Sequence, residues 1–196
     1  LEVLISAAIV SVMSIVIYAV FSSGVKTWKK AQEMRFLEKN VFGSLQELTV
    51  DLRNCLKIAT LPVKGSPDSI SFPGLVKENE EKQLGLIKYY FDGEKDSIIK
   101  STKTYAEALS EEESGEKGKG KAIIGNISGF SLEYCCLDTD TGLYGWREDW
   151  GAEDDTVEIP RAVKIFIELD RDGRKISVEK FVLIPVGLSG HEGFSK

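Results

Sequence analysis

The chain has 196 residues, enough for one domain or for one domain with a long appendage. Its average make-up is ordinary, at 42% hydrophobic and 29% charged residues. The net charge of -6 and the lack of a basic patch count against nucleic acid as its main partner. Placement matters more than the average: from Val3 to Val25, 23 residues carry no Asp, Glu, Lys or Arg, which excludes a uniformly polar-surfaced globule. Residues 1–58 hold five acidic and seven basic side chains, a net of +2, so the remainder carries -8. The two parts are made for different surroundings.

The first predicted element is the run LEVLISAAIVSVMSIVIYAVFSSGV. As a helix rising ~1.5 Å per residue it spans about 34 Å, against a bilayer core of about 30 Å. A helix suits that core because it satisfies its own backbone hydrogen bonds. Tyr18 and Trp28 fit the interfacial end, and Lys26, Lys29 and Lys30 mark the exit into water. The run is too long for the core of a secretory signal peptide, and its first charge is acidic rather than basic. A plain signal anchor is the competing reading, but it gives no reason for Glu2. A carboxylate at the head of a membrane segment is costly and points to a function. Glu2 would meet a cation from another subunit, or would sit at the headgroups near the positive end of the helix dipole. Small residues Ala7, Ala8 and Ser11 permit close helix approach. Together with Leu4, Val12 and Val16 they form the candidate assembly surface beside Glu2.

Helical spacing continues through Trp28, Phe36, Leu37, Val41, Leu45, Leu48, Leu52 and Leu56, with charged residues between. Residues 26–60 are therefore expected as the amphipathic half of the same helix, fraying from about Lys57 and ended by Pro62 and Gly65. A kink near Ser22-Ser23-Gly24, dividing it into two helices, is the alternative. Its apolar stripe needs a cover, most simply a sheet from residues 61–196.

Past Pro62 the pattern turns to short strands: Ser69–Phe72, Leu84–Phe91, Ser97–Ser101, alternating stretches within Ile123–Leu137, then Ala162–Leu169 and Lys175–Ile184 around the turn Asp170-Arg171-Asp172-Gly173. Lys77–Lys82 is expected as a charged loop. Residues 106–121 are charged and glycine-containing, the composition of a mobile loop. The expected class is α+β: a long N-terminal helix, membrane-spanning in its first half (residues 1–25), packed on an antiparallel sheet head.

Little in the head reads as chemistry. The one histidine, His191, lies in the Gly/Ser-rich tail without a partner in sequence. Cys55, Cys135 and Cys136 lack zinc-ligand spacing. With Cys55 on the helix and the adjacent pair on a strand, a disulfide from Cys55 to Cys135 or Cys136 is one reading and three reduced buried thiols the other. Asp138 and Asp140 resemble the start of a calcium loop but lack its closing glutamate, so a solvated turn is the favoured reading. Arg161, after the strand-opening Pro160, can receive a carboxylate or stay solvated. No other cofactor, no small-molecule substrate and no enzymatic activity is expected.

Two stretches carry a resemblance. Leu1-Glu2-Val3-Leu4-Ile5 and the apolar helix after it resemble the start of mature type IV pilins and type II secretion pseudopilins. Asn126-Ile127-Ser128-Gly129-Phe130-Ser131-Leu132-Glu133-Tyr134, then Trp146 to Trp150, then Ile159-Pro160-Arg161-Ala162-Val163-Lys164-Ile165 are similar to the J-type minor pseudopilins of type II secretion systems. The resemblance implies a non-enzymatic subunit at the tip of a periplasmic pseudopilus, helping to initiate assembly and to export folded proteins across the outer membrane. It implies an inner-membrane anchor with a periplasmic head, maturation by prepilin peptidase, and the I- and K-type minor pseudopilins as partners. Glu2 matches the family glutamate that pairs with a neighbour's N-terminal amine. The family's methylated residue would lie three positions before Leu1. Charge counting alone, with three lysines after the span, would place the head in the cytoplasm, so the outward orientation follows from the resemblance. A minor pilin of a type IV pilus or DNA-uptake system is the alternative, and a membrane-tethered enzyme a more distant one.

Overall fold

The structure is a computed structural model that describes residues 2–36, 41–78, 81–110, 120–138, 142–151, 159–171 and 174–188. It divides into two compact units, residues 1–43 and 44–196.

The first unit is built on helix α1, Glu2–Phe36. Its residues 5–32 are long and apolar enough to cross a membrane, and none of that stretch is buried. The expected continuous helix over residues 1–60 is corrected at its far end. Residues 37–40 lie outside the described residues, and helix α2 runs only over Gly43–Arg53. The chain then turns at Asn54, and the Leu56 amide donates to the Pro73 carbonyl at 3.0 Å. Leu56 thus continues the apolar spacing from a loop, not from the helix.

The second unit holds two antiparallel sheets. The first contains β1 (Lys64–Ser66), β2 (Ser69–Glu78), β3 (Glu81–Asp92), β4 (Ser97–Thr104) and β5 (Gly120–Gly125), side by side in chain order. Helix α2 lies on its Tyr89 face and buries Leu45, Leu48, Thr49 and Leu52. Polar ties fix it there. The Ser44 hydroxyl donates to the Ile123 carbonyl at 2.6 Å, and the Tyr89 hydroxyl donates to Asp51 at 2.5 Å. The Lys100 ammonium sits 2.6 Å from Asp51 and 2.7 Å from Glu47. Burial works against the charge of Lys100, but its bonds to the two carboxylates outweigh that and raise its pKa.

Two expectations change in this sheet. Lys77–Lys82 is not a loop: Lys77 pairs with Lys82 and Glu78 with Glu81 at the end of the β2–β3 hairpin, whose residues 79–80 are not described. The segment 106–121 opens as helix α3, Tyr105–Ser110, and closes as the start of β5; residues 111–119, which carry most of the expected mobile loop, lie outside the described residues. Thr104 and Glu107 form a capping box on α3. The Glu107 carboxylate accepts the Thr104 amide at 2.8 Å, and the Thr104 hydroxyl oxygen accepts the Glu107 amide at 3.3 Å.

The second sheet orders its strands β7 (Tyr144–Arg147), β6 (Gly129–Leu137), β8 (Ala162–Arg171) and β9 (Arg174–Leu183). Alternation decides its faces. Phe130, Leu132, Tyr134, Val163, Ile165, Ile167, Leu169 and Val182 make the buried face. The α+β class with a long N-terminal helix is therefore present. The short helix α4 (Pro185–Leu188) follows β9.

Tyr134 ties the sheets together. Its hydroxyl lies 2.9 Å from both the Ser66 and Ser69 carbonyls, and the Leu132 amide donates to the Pro67 carbonyl at 2.8 Å. The ring reaches them through a notch that exists because Gly65 has no side chain: a Cβ there would overlap the ring and hydroxyl of Tyr134. Gly65 also exchanges backbone hydrogen bonds with Trp150 at 2.9 and 3.0 Å, so its backbone cannot retreat freely. Gly65→Ala is expected to expel the ring, lose its hydroxyl bonds and destabilise the head by about 1–3 kcal/mol. Urea unfolding followed by tryptophan fluorescence measures this; an unchanged midpoint would show that the notch does not constrain the sheets.

Candidate functional site: the exposed apolar helix

The expected assembly residues all fall on α1. At ~100° per residue, Ala7, Ser11, Leu4 and Ala8 span an arc of about 100°, and Val12, Val16 and Glu2 fill the adjoining 80° or so. They therefore cover two neighbouring flanks and not one narrow stripe. Glu2 stands in the first turn and is exposed, as are Ala7, Ser11, Val12 and Val16. Glu2 is the sole formal charge on α1 before Lys26.

Three hydroxyls of α1 are satisfied within the helix. The Ser11 hydroxyl donates to the Ala7 carbonyl and that of Ser14 to the Val10 carbonyl, each at 2.8 Å; Thr27 donates to Ser23 at 3.0 Å. Each spends its proton on the carbonyl four residues earlier. What remains facing outward is a rod of aliphatic, aromatic and small side chains. Ile15, Ile17, Val20 and Phe21 are each at least two-thirds exposed. In water such a surface is unfavourable, at ~25 cal/mol per Å² of apolar area, and its length and composition suit a membrane span.

The cysteine expectation resolves toward free thiols. Cys55, Cys135 and Cys136 are all unpaired and buried, and no disulfide joins Cys55 to Cys135 or Cys136. Each sits among neighbours of its own. Cys55 lies beyond the end of α2, not on it, with its thiol 3.6 Å from the Leu56 carbonyl. The Cys136 thiol points at the Gly145 carbonyl, 3.7 Å away on β7. Cys135 projects from the opposite face, between Trp146 and Ala162 in the register.

Asp138, the described member of the suggested calcium pair, follows β6. Its amide donates to the Leu143 carbonyl at 2.9 Å and its carbonyl accepts from the Gly142 amide at 2.8 Å. Asp140 lies outside the described residues. Among the described residues no group of three His, Cys, Asp or Glu side chains could hold a metal ion. His191 also lies outside the described residues.

The feature that sequence reasoning missed is on the outer face of the second sheet. Arg161 holds its guanidinium 5.3 Å over the Tyr144 ring and donates to the Tyr144 hydroxyl at 2.8 Å. Trp146 meets Phe181 edge-on at 5.9 Å. The tryptophan stretch was visible in sequence, but its partners lie 17 and 35 positions away and only the strand register joins them.

Comparison with protein-family models finds no match for this chain, and comparison with curated proteins finds none either.

Burial makes the head alkali-sensitive. It pushes the Cys55 thiol up from about 9 to about 12. It also raises the Tyr89 phenol, helped by its hydrogen bond to Asp51 and the nearby carboxylates, and the Tyr134 phenol, helped by Asp149 and Asp68. Between the ordinary and the raised values the folded chain holds more protons than the unfolded one, so stability must fall as pH rises. Urea midpoints are expected to hold up to about pH 8, then decline through pH 9–12. Native Cys55 should resist iodoacetamide at pH 8 and react after unfolding. A midpoint rising above pH 9, or alkylation of the native thiol, would contradict this.

Proposed function

We propose that this chain is a pilin-like structural subunit, anchored by α1 in a bacterial inner membrane, of the minor pseudopilin kind and most similar to the J type of type II secretion. The observation that carries this reading is α1 itself: an apolar helix with no buried residue in its most apolar window, headed by a single carboxylate and followed in the chain by an amphipathic stretch and a β-rich unit. The resemblance in residues 1–5 and 126–165 supplies the family.

On this reading the helix works twice. Before assembly, lipid covers its apolar side chains. During assembly, sister helices replace lipid, with Ala7, Ala8 and Ser11 admitting close backbone approach and Leu4, Val12 and Val16 filling the seam. Glu2 directs the exchange. A carboxylate at that depth is costly while unpaired and favourable once a neighbour's amine neutralises it, so the gain appears only in the correctly seated subunit. The head stays on the periplasmic side at the pseudopilus tip, with the I- and K-type minor pseudopilins as its neighbours and prepilin peptidase as the maturation enzyme. Growth of the pseudopilus behind it drives folded cargo outward.

The test is substitution in the secreting cell. Glu2→Ala should leave the membrane-bound level of the chain unchanged, reduce its copurification with the other minor pseudopilins, and lower cargo export by about tenfold, the equivalent of ~1.4 kcal/mol of lost pairing. Glu2→Asp should retain part of the activity. Full export with Glu2→Ala would overturn the role given to this residue.

A further inference from the structure

The outer face of the second sheet is built in levels along its strands. Tyr144 stands at the first, opposite Leu137, with Arg161 braced on it. Trp146, Cys135, Ala162 and Leu183 form the second, Glu133, Lys164 and Phe181 the third, and Ser131, Phe166 and Glu179 the fourth. The centre of the second level is small: Cys135 and Ala162 leave a hollow that Trp146 spans to reach Phe181, and both are buried. The face over that hollow is apolar and open. Tyr144 is 61%, Trp146 45%, Phe181 58% and Leu183 60% exposed. With aromatic side chains of 150–250 Å² each, this strip is on the order of 450 Å², the size of patch that marks an interaction surface.

Its two ends carry opposite charge. At the Tyr144 end, Arg161 spends one of its donors on the tyrosine oxygen and pairs with no carboxylate among the described residues. At the other end two carboxylates, Glu133 and Glu179, share the single ammonium of Lys164 at 3.2 Å each, an excess of one acid among the described residues. Among the described residues the strip thus lies between a basic end and an acidic end. A surface of that kind is complementary to itself: a two-fold axis lying in the face, midway along and perpendicular to the line from Arg161 to Glu179, lays each charged end of one copy on the opposite end of the other.

We propose that this face pairs two copies of the chain, with the aromatic strips packed together and Arg161 of each copy meeting Glu179 of the other. The contact is two-fold and isologous, so both ion pairs form at once. Its area places it at the small end of specific interfaces, the range of weak and transient contacts. The pairing belongs to the head alone and does not depend on the part assigned to α1.

The experiment uses the full chain, one copy per nonionic detergent micelle, with donor- and acceptor-labelled populations mixed and energy transfer read against concentration. The wild-type chain should associate. Arg161→Glu and Glu179→Arg should each weaken self-association by at least about tenfold, because each places like charges together at both ends. Mixed one to one, the two variants should associate within about threefold of wild type, since each then meets its opposite at both contacts. Leu183→Ser should weaken association while thermal unfolding of the head stays unchanged. A wild-type chain that stays monomeric at about 200 µM overturns the proposal. So do charge variants that associate like wild type, which would assign the contact to α1 or to another face of the head. A variant mixture that fails to regain association overturns it as well.

Discussion

The head depends on one side chain passing through a gap in the neighbouring strand. The two sheets are separate hydrogen-bonded ladders, and besides the backbone bond from Leu132 to Pro67 they are joined by Tyr134, which crosses where Gly65 leaves room and ends on the carbonyls of Ser66 and Ser69. Those carbonyls flank the short turn between β1 and β2, so the phenol holds the place where the first sheet begins. A buried hydroxyl without such acceptors would cost about 1–3 kcal/mol, which makes the arrangement nearly all-or-none. The same burial that makes the tie strong keeps the phenol protonated far into the alkaline range.

Around this tie the head is stapled by polar contacts with apolar surroundings. Lys100, Asp51, Glu47 and Tyr89 form a compact network between α2 and β3–β4, and the Phe72 and Tyr89 rings lie nearly parallel with centroids 6.2 Å apart. Hydrophobic burial of Leu45, Leu48 and Leu52 supplies most of the attraction between helix and sheet. The network chooses the rotation and height at which the helix settles, because an unpaired charge in that layer would be expensive.

Much of this was legible in the residues. The apolar run, the alternating strands and the Asp170–Gly173 turn carry strong local signals, and the helix and the β8–β9 ladder lie where those signals place them. At Lys77–Lys82 and at residues 105–110 the departure has one cause: charge does not by itself mark irregular backbone. Lys77, Lys82, Glu78 and Glu81 are charged yet paired, because the far end of a hairpin meets water on both faces. Residues 105–110 hide a helix whose capping box, Thr104 with Glu107, was readable at the correct spacing. The end of α2 was misplaced because Leu56 keeps the helical interval while sitting in a loop docked on β2. Neither the Gly65 notch nor the Trp146–Phe181 pair has a local signature; both arise from register between distant strands. Glu2, Ala7, Ser11, Val12 and Val16, legible in the sequence as a candidate surface, are exposed on α1.

The hydroxyls of α1 have one more consequence. Ser11, Ser14 and Thr27 carry their acceptors within their own helix. A side chain that relied on water or on a neighbour would need a new partner each time the surroundings changed, with a barrier set by the moment it had none. Here these three hydroxyls close on their own helix. A change in what surrounds the helix would break none of these bonds.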